Sequence, residues 1–291
     1  MTKKLYSIII PHYNSEGKLK RLLLSIPSRS DIQTIVVDDL STESSILKLI
    51  EDHDFSHIEF KMSDRKLTAG GARNAGLNCA TGDYILFADS DDYFAPDAFD
   101  HFDQATQLQS DLVLFKATSF SENYGDATRH QYLNAIYREP GLFRFLAIDQ
   151  PYGKLIKRSL IERYLIRFSE VQAGNDILFS AKVSLFAESR LFEKTCVYHI
   201  SQNDTSITAC PTEQNDYLRL SEQINKTLLL RCTTSMYFCF LFLCRRNALT
   251  LCDKHPESEE FRGLALFYRA LVPRTAIVIH RVYKWFRSLT I

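Results

Sequence analysis

The sequence predicts an α/β fold, a Rossmann-like and mostly parallel sheet flanked by helices, with a C-terminal helical extension. Three observations predict it. Short β-branched or wholly apolar runs at 6–10, 32–37, 58–62 and 84–88 read as strands, the last of them buried on both faces. Stretches with apolar residues at helical spacing separate these runs, and alternating strands and helices make a parallel sheet. From Thr212 onward the pattern is helical to the end. At 291 residues, with 45% hydrophobic and 24% charged residues, the chain has ordinary globular composition. It divides into a principal domain at 1–210, with halves 1–100 and 101–210, and a helical region at 211–291.

The elements follow in order. Tyr6 to Ile10 is a strand stopped by Pro11, and the loop 11–17 leads into a helix over 18–26. A second strand, 32–37, ends in Asp38-Asp39-Leu40-Ser41. Ser41, with Ser44 and Ser45, can cap a helix running to about Glu51. After the strand 58–62, Ala69-Gly70-Gly71 opens a helix over 72–79 with Arg73 in its first turn, a place that favours anions. Gly82-Asp83 turns the chain into the strand 84–88, and Asp89, Asp91 and Asp92 come directly beyond its end. Strand alternation would put Asp89 and Asp91 on one side, able to share a hard cation. The competing reading is an acidic turn that caps the helix after Pro96.

Further on, 96–109 and 142–148 read as helices and 112–115 as a strand, with 119–130 a polar loop over the site. Asp176 opens a helix to about Ala187, where capping alone would explain it. Tyr198-His199-Ile200 ends a strand, and His199 is either structural or a ligand for metal or phosphate.

Net charge is zero, so no global basic field argues for nucleic acid. Seven cysteines without a Cys-x-x-Cys pair read as reduced thiols rather than a zinc site. The N-terminus lacks a signal-peptide core, and the apolar run 228–244 is broken by Arg231 and Thr233-Thr234-Ser235. That run falls short of the roughly 20 clean residues a membrane span needs. These features place the chain in the cytoplasm. Leu228 to Leu243 is apolar nearly all round, which calls for burial against the principal domain or in a homo-oligomer. Phe261 to Ile291 carries six Arg or Lys and no acid, interleaved with aromatics, so it reads as a peripheral contact with the inner face of the plasma membrane or as a packed terminal helix.

Four motifs now stand together: Pro11-His12-Tyr13-Asn14, Val37-Asp38-Asp39-Leu40-Ser41, Gly71-Ala72-Arg73-Asn74-Ala75-Gly76-Leu77 and Asp89-Ser90-Asp91-Asp92. In order and spacing, over Tyr6 to Asp100, they resemble the successive motifs of family-2 glycosyltransferases of the bacterial surface-polysaccharide type. The resemblance implies a GT-A fold, a UDP-linked sugar donor, a glycan or lipid-linked acceptor, Mn²⁺ or Mg²⁺, and inversion at the anomeric carbon. By it, Pro11, Tyr13, Asn14, Asp39, Arg73, Asp89 and Ser90 would bind the donor. Asp89 and Asp91 would hold the metal, with Asp92 and His199 as further candidates. Asp176 would be the catalytic base, followed three residues on by the expected aromatic, Phe179. Asn175 stands where many relatives have Glu. Pro151 to Ser159 resembles the acceptor-side strand and turn, and Thr205 to Thr208 the loop over the donor phosphates. Two other classes compete. A catalytically impaired sugar-nucleotide binder would accommodate Asn175. A nucleotidyltransferase would need a phosphate-gripping Gly-rich loop after the first strand, which 11–17 is not.

Overall fold

The computed structural model describes residues 3–42, 55–121, 125–126, 131–138, 141–171 and 174–201. Among them nine strands form one sheet in the order β3-β2-β1-β4-β8-β6-β9-β5, with β7 paired to β6. The strands are β1 (Tyr6–His12), β2 (Ile32–Asp38), β3 (Ile58–Met62), β4 (Tyr84–Phe87), β5 (Tyr93–Phe94), β6 (Leu112–Ser121), β7 (Gly125–Asp126), β8 (Lys154–Lys157) and β9 (Arg190–Ser201). β3, β2, β1 and β4 run parallel, as the alternating pattern predicts. β8 enters antiparallel between β4 and β6, and β9 continues parallel to β6. The register of β6 and β9 shifts on either side of Lys116, a bulge that bends the strand.

β1 and β2 are buried along almost their whole length because helices cover both faces, which is why their sequences do not alternate. Pro11 does not stop β1. It lies in register with Val37 of β2, beyond the point where β4 stops pairing at Ile9, so its missing N–H is tolerated as at an edge.

The described helices are α1 (Glu16–Leu24), α2 (Ala69–Cys79), α3 (Ala98–Thr106), α4 (Gln131–Ile136), α5 (Gly141–Ala147), α6 (Arg158–Arg163) and α7 (Ile177–Phe186). α2 begins three residues before its predicted start. Thr68 is the N-cap, its hydroxyl accepting from the Gly71 N–H at 3.2 Å, so Gly70 and Gly71 lie inside the helix and Arg73 in its second turn. Gly76 lets α2 sit on β1: a Cβ there would come within 2.4 Å of Ile9. The polar run 119–130 is not wholly a loop, since β6 extends to Ser121 and pairs with β7. β5 and α6 were not anticipated.

Among the described residues Cys79 and Cys196 are free thiols, and no helix is long and apolar enough to cross a membrane. The helix expected after Ser41, the loop 205–208, the boundary at 210 and the whole of 211–291 lie outside the described residues.

Candidate active site

Because β1, β2 and β4 are parallel, their carboxyl ends place 12–14, 38–39 and 89–92 along one rim of the sheet, where open α/β sheets bind ligands. Three groups of side chains are built there.

The first surrounds Asp39. This buried carboxylate accepts from the Leu67 N–H and faces the Lys66 ammonium at 3.2 Å. Lys66 also donates to the Asp39 carbonyl and lies 3.1 Å above the ring of the exposed Tyr13. Asn14 adopts a left-handed backbone (φ +45°), which Asn tolerates through local hydrogen bonds. Its N–H donates to Ser41 Oγ at 2.8 Å, and its side-chain oxygen accepts from the Thr42 N–H at 3.0 Å. Behind this rim, buried His12 bonds through Nδ1 to Ser15, and Ser15 to Ser90 at 2.9 Å. Burial holds the His12 pKa below its ordinary value.

The second group is the acidic turn. Asp89 to Asp92 do not continue the alternation of β4. The Asp92 N–H donates to the Asp89 carbonyl at 3.0 Å, closing a turn, so the same-side placement expected from strand geometry does not apply. Asp92 is 2% exposed and turned into service of the sheet: its Oδ1 accepts from the Ser201 N–H at 2.8 Å. Burial, then the charges of Asp89 and Asp91, raise its pKa well above the carboxylate range. The Tyr198 hydroxyl accepts from the Asp89 N–H at 2.8 Å, and Arg21 donates to the Asp91 carbonyl at 2.7 Å. His199 lies beside the turn, stacked on Tyr93, with Nδ1 3.3 Å from Thr118 Oγ1.

Arg73 joins the turn to the third group. Its guanidinium is 5% exposed and donates to Asp89 Oδ1 at 2.5 Å and to Asn175 Oδ1 at 2.8 Å. Asn74 pairs with both backbone groups of Phe168, at 3.0 and 2.9 Å, and Phe168 stacks on Phe179 with 3.9 Å between ring centroids. Gly70 permits the contact, because a Cβ there would meet the Ser169 carbonyl at 2.1 Å. The Gly-Gly pair therefore seats the segment that carries Asn175 and Asp176. Asp176 is the residue before α7, yet its side chain makes no capping hydrogen bond. Its pKa is pushed up to about 7, first by burial and then by the charge of Asp149. Arg73 pulls it down, and Asp89 raises it further.

The rim thus brings together Pro11, Tyr13, Asn14, Asp39, Arg73, Asp89, Ser90, Asp91 and, through Asn175, Asp176. It adds Lys66, Arg21 and Phe168, which sequence reasoning did not single out. Lys66 had a legible signal only in hindsight of Thr68: a cation just before a capped helix at a strand rim. Among the described residues no three His, Cys, Asp or Glu side chains cluster as a closed metal site. Asp89 and Asp91 supply carboxylate oxygens, the ligand type that Mg²⁺ and Mn²⁺ take.

A family model described as Glycosyl transferase family 2 matches residues 7–165. The chain belongs to this family. Among its relatives, Glycosyltransferase GlyA of Streptococcus pneumoniae is 29% identical over 72% of the chain and 32% of the relative. Putative glycosyltransferase EpsH of Bacillus subtilis is 28% identical over 69% of the chain and 62% of the relative. The chain therefore spans between about a third and three fifths of these two family-2 relatives. In fold it is similar to Staphylococcus aureus TarS 1–349 in complex with UDP-GlcNAc, at TM-score 0.77 and 21% identity over 94% of the chain and 82% of TarS 1–349. The chain thus joins a family-2 match over 7–165 to the GT-A fold of its structural neighbour.

Proposed function

We propose that the chain transfers a sugar from a UDP-linked donor to a hydroxyl of a glycan or lipid-linked acceptor, with inversion, in the synthesis of a bacterial surface polysaccharide. The observation that carries this reading is the Arg73 bridge, which holds the acidic turn and the Asp176 segment on one guanidinium. A leaving diphosphate and an acceptor hydroxyl need those two functions side by side. Asp89 and Asp91 would hold Mn²⁺ or Mg²⁺. Such an ion, when bound, acts as a Lewis acid toward the departing phosphate. Arg73 adds fixed positive charge at the same place, and Tyr13, Asn14, Asp39 and Lys66 bind the nucleoside.

Asp176 takes the proton of the acceptor hydroxyl as its oxygen attacks the anomeric carbon and the nucleoside diphosphate leaves. A base with pKa near the working pH is suited to this role. Direct displacement inverts the anomeric centre, and no enzyme nucleophile enters. The UDP-GlcNAc complex of TarS favours UDP, and so does the relative named for UDP-Glc, WfgD of Escherichia coli, 30% identical over 43% of the chain. A mannosyltransferase from Pyrobaculum calidifontis solved with GDP-Man and Mn²⁺, similar in fold at TM-score 0.62 and 15% identity, supports the metal and supplies the rival nucleotide.

The reading of an impaired binder rests on Asn175, yet the amide oxygen keeps the bond to Arg73. A carboxylate at 175 is not needed to hold the guanidinium. The division at 1–210 and 211–291, and contact of 261–291 with an anionic membrane, complete the proposal. The test is release of nucleoside diphosphate from a panel of UDP- and GDP-sugars with Mn²⁺, Mg²⁺ or EDTA. Metal-dependent, UDP-selective release with a saccharide acceptor is expected. Tight UDP binding without release from any donor would favour the impaired binder.

A further inference from the structure

β8 is apolar apart from its two lysines, and the first of them, Lys154, is fully buried. Its Nζ lies 2.7 Å from the Ile148 carbonyl, 2.6 Å from the Gln150 carbonyl and 2.9 Å from Ser180 Oγ. Ser180 donates its own proton to the Asp149 carbonyl, so toward Lys154 it accepts. Three acceptors around one nitrogen call for three donors. An ammonium has three, whereas a neutral amine has two and a lone pair. A buried ammonium needs negative charge nearby, and the carboxylates whose charges act on Lys154 are Asp149 and Asp176. Packing does not require this arrangement, because an apolar side chain of similar volume often serves stability as well as a buried ion pair. Ser180 lies one helical turn beyond Asp176, its N–H donating to the Asp176 carbonyl at 2.9 Å.

We propose that Lys154 is a positioning residue for the transfer: its ammonium, clamped on the 148–150 segment and on Ser180, fixes the first turn of α7 and is the buried counter-charge of the Asp176 carboxylate. The proposal rests on Asp176 being the base. The charged groups acting on Asp176 come from every neighbouring element. Asp149 before β8 and Asp89 after β4 oppose its ionisation, and Arg73 on α2 favours it. Lys154 on β8 feels the Asp176 charge in turn. Burial lowers Lys154 to about 7 and raises Asp176 to about 7.

The test compares Lys154→Met, Ser180→Ala and Asp176→Asn in the full chain. It reads kcat, donor KM, UDP affinity with Mn²⁺, melting temperature and the pH profile of kcat. For Lys154→Met the expected result is a kcat about tenfold or more lower at pH 7, with the acid limb displaced to higher pH. Donor KM and UDP affinity should stay within about twofold, because donor groups are untouched. Ser180→Ala, which removes one clamp and no charge, should show the same pattern more weakly, and it decides the matter if Lys154→Met fails to fold. Unchanged kcat and acid limb in the folded variants, with Asp176→Asn inactive, would overturn the proposal alone. A fall in kcat matched by a rise in KM, with the limb unmoved, would also overturn it, leaving Lys154 a structural prop. Wild-type turnover in Asp176→Asn would remove the base reading and this proposal with it.

Discussion

Asp176→Asn should lose activity and gain stability at once. The carboxyl is raised in the fold from 3.8 to about 7, which means the folded state binds its proton more tightly than the unfolded chain does. Ionisation therefore costs stability. The cost is absent below the unfolded value, grows as pH rises toward 7, and is constant above it. A shift of about 3 units sets a ceiling of about 4 kcal/mol. Water at the half-buried carboxyl recovers part of this, and Lys154 losing its counter-charge offsets more, so relief of no more than about 1–2 kcal/mol at pH 8 is expected, a rise in melting temperature of at most about 8 °C. At pH 3 the two proteins should melt together. Turnover of the variant should fall 10²–10⁴-fold, the usual worth of a general base, with UDP affinity unchanged. In the wild type the acid limb of kcat should rise about fivefold from pH 6 to pH 7, following the ionised fraction of a group near 7. The assays are thermal melts across pH and a UDP-release rate. A variant that loses UDP affinity in step with its rate would show that Asp176 supports the donor rather than chemistry.

Three further outcomes are expected. Asp91→Asn and Asp89→Asn, alone or together, should abolish Mn²⁺-stimulated release while the melting temperature without metal stays within a few degrees; full turnover in the double variant would remove the metal assignment. Gly70→Ala should cost about 1–3 kcal/mol and most of the activity, since the new Cβ displaces the Ser169 carbonyl and with it Asn175, whereas Gly17→Ala, with open space around it, should do neither. Removal of 261–291 should abolish salt-sensitive co-sedimentation with anionic liposomes, each basic residue near the surface adding about 1 kcal/mol; truncated protein that stays folded and pellets like the full chain would refute the membrane contact.

The parallel half of the sheet was legible because strands buried on both faces leave unbroken apolar runs, as in Ile8-Ile9-Ile10 and Ile85-Leu86-Phe87. What failed did so for local reasons. Gly70-Gly71 reads as the approach to a helix over 72–79 until Thr68 is seen to cap the turn that contains it and Ser169 to need the space. Asp89 and Asp91 look like alternating strand residues because nothing in the sequence reports the hydrogen bond that closes their turn. The sequence pattern ends β6 at Phe115, whereas Lys116 to Phe120 pair with β9 across a bulge, and pairing leaves no mark in composition. At the site, the acids and Arg73 could be found from their position beyond apolar strands. Lys154 could not, since it stands beside Lys157 and Arg158 in a short basic stretch and only burial sets it apart.

The place of β8 has a consequence for how the chain is made. β4 is apolar throughout, and one of its two edges is covered only by residues 154–157, which leave the ribosome about 70 residues after β4 is complete. At about 5–20 residues per second, that edge waits several seconds as an open template for another strand. β5 waits longer, for β9. The two halves are therefore not separable modules. A chimera that joins two such enzymes near residue 100 to exchange acceptor specificity would mate the β4 of one with the β8 of the other. It should fold only where Tyr84 and Ile85 meet partners matching Lys157 and Ile156.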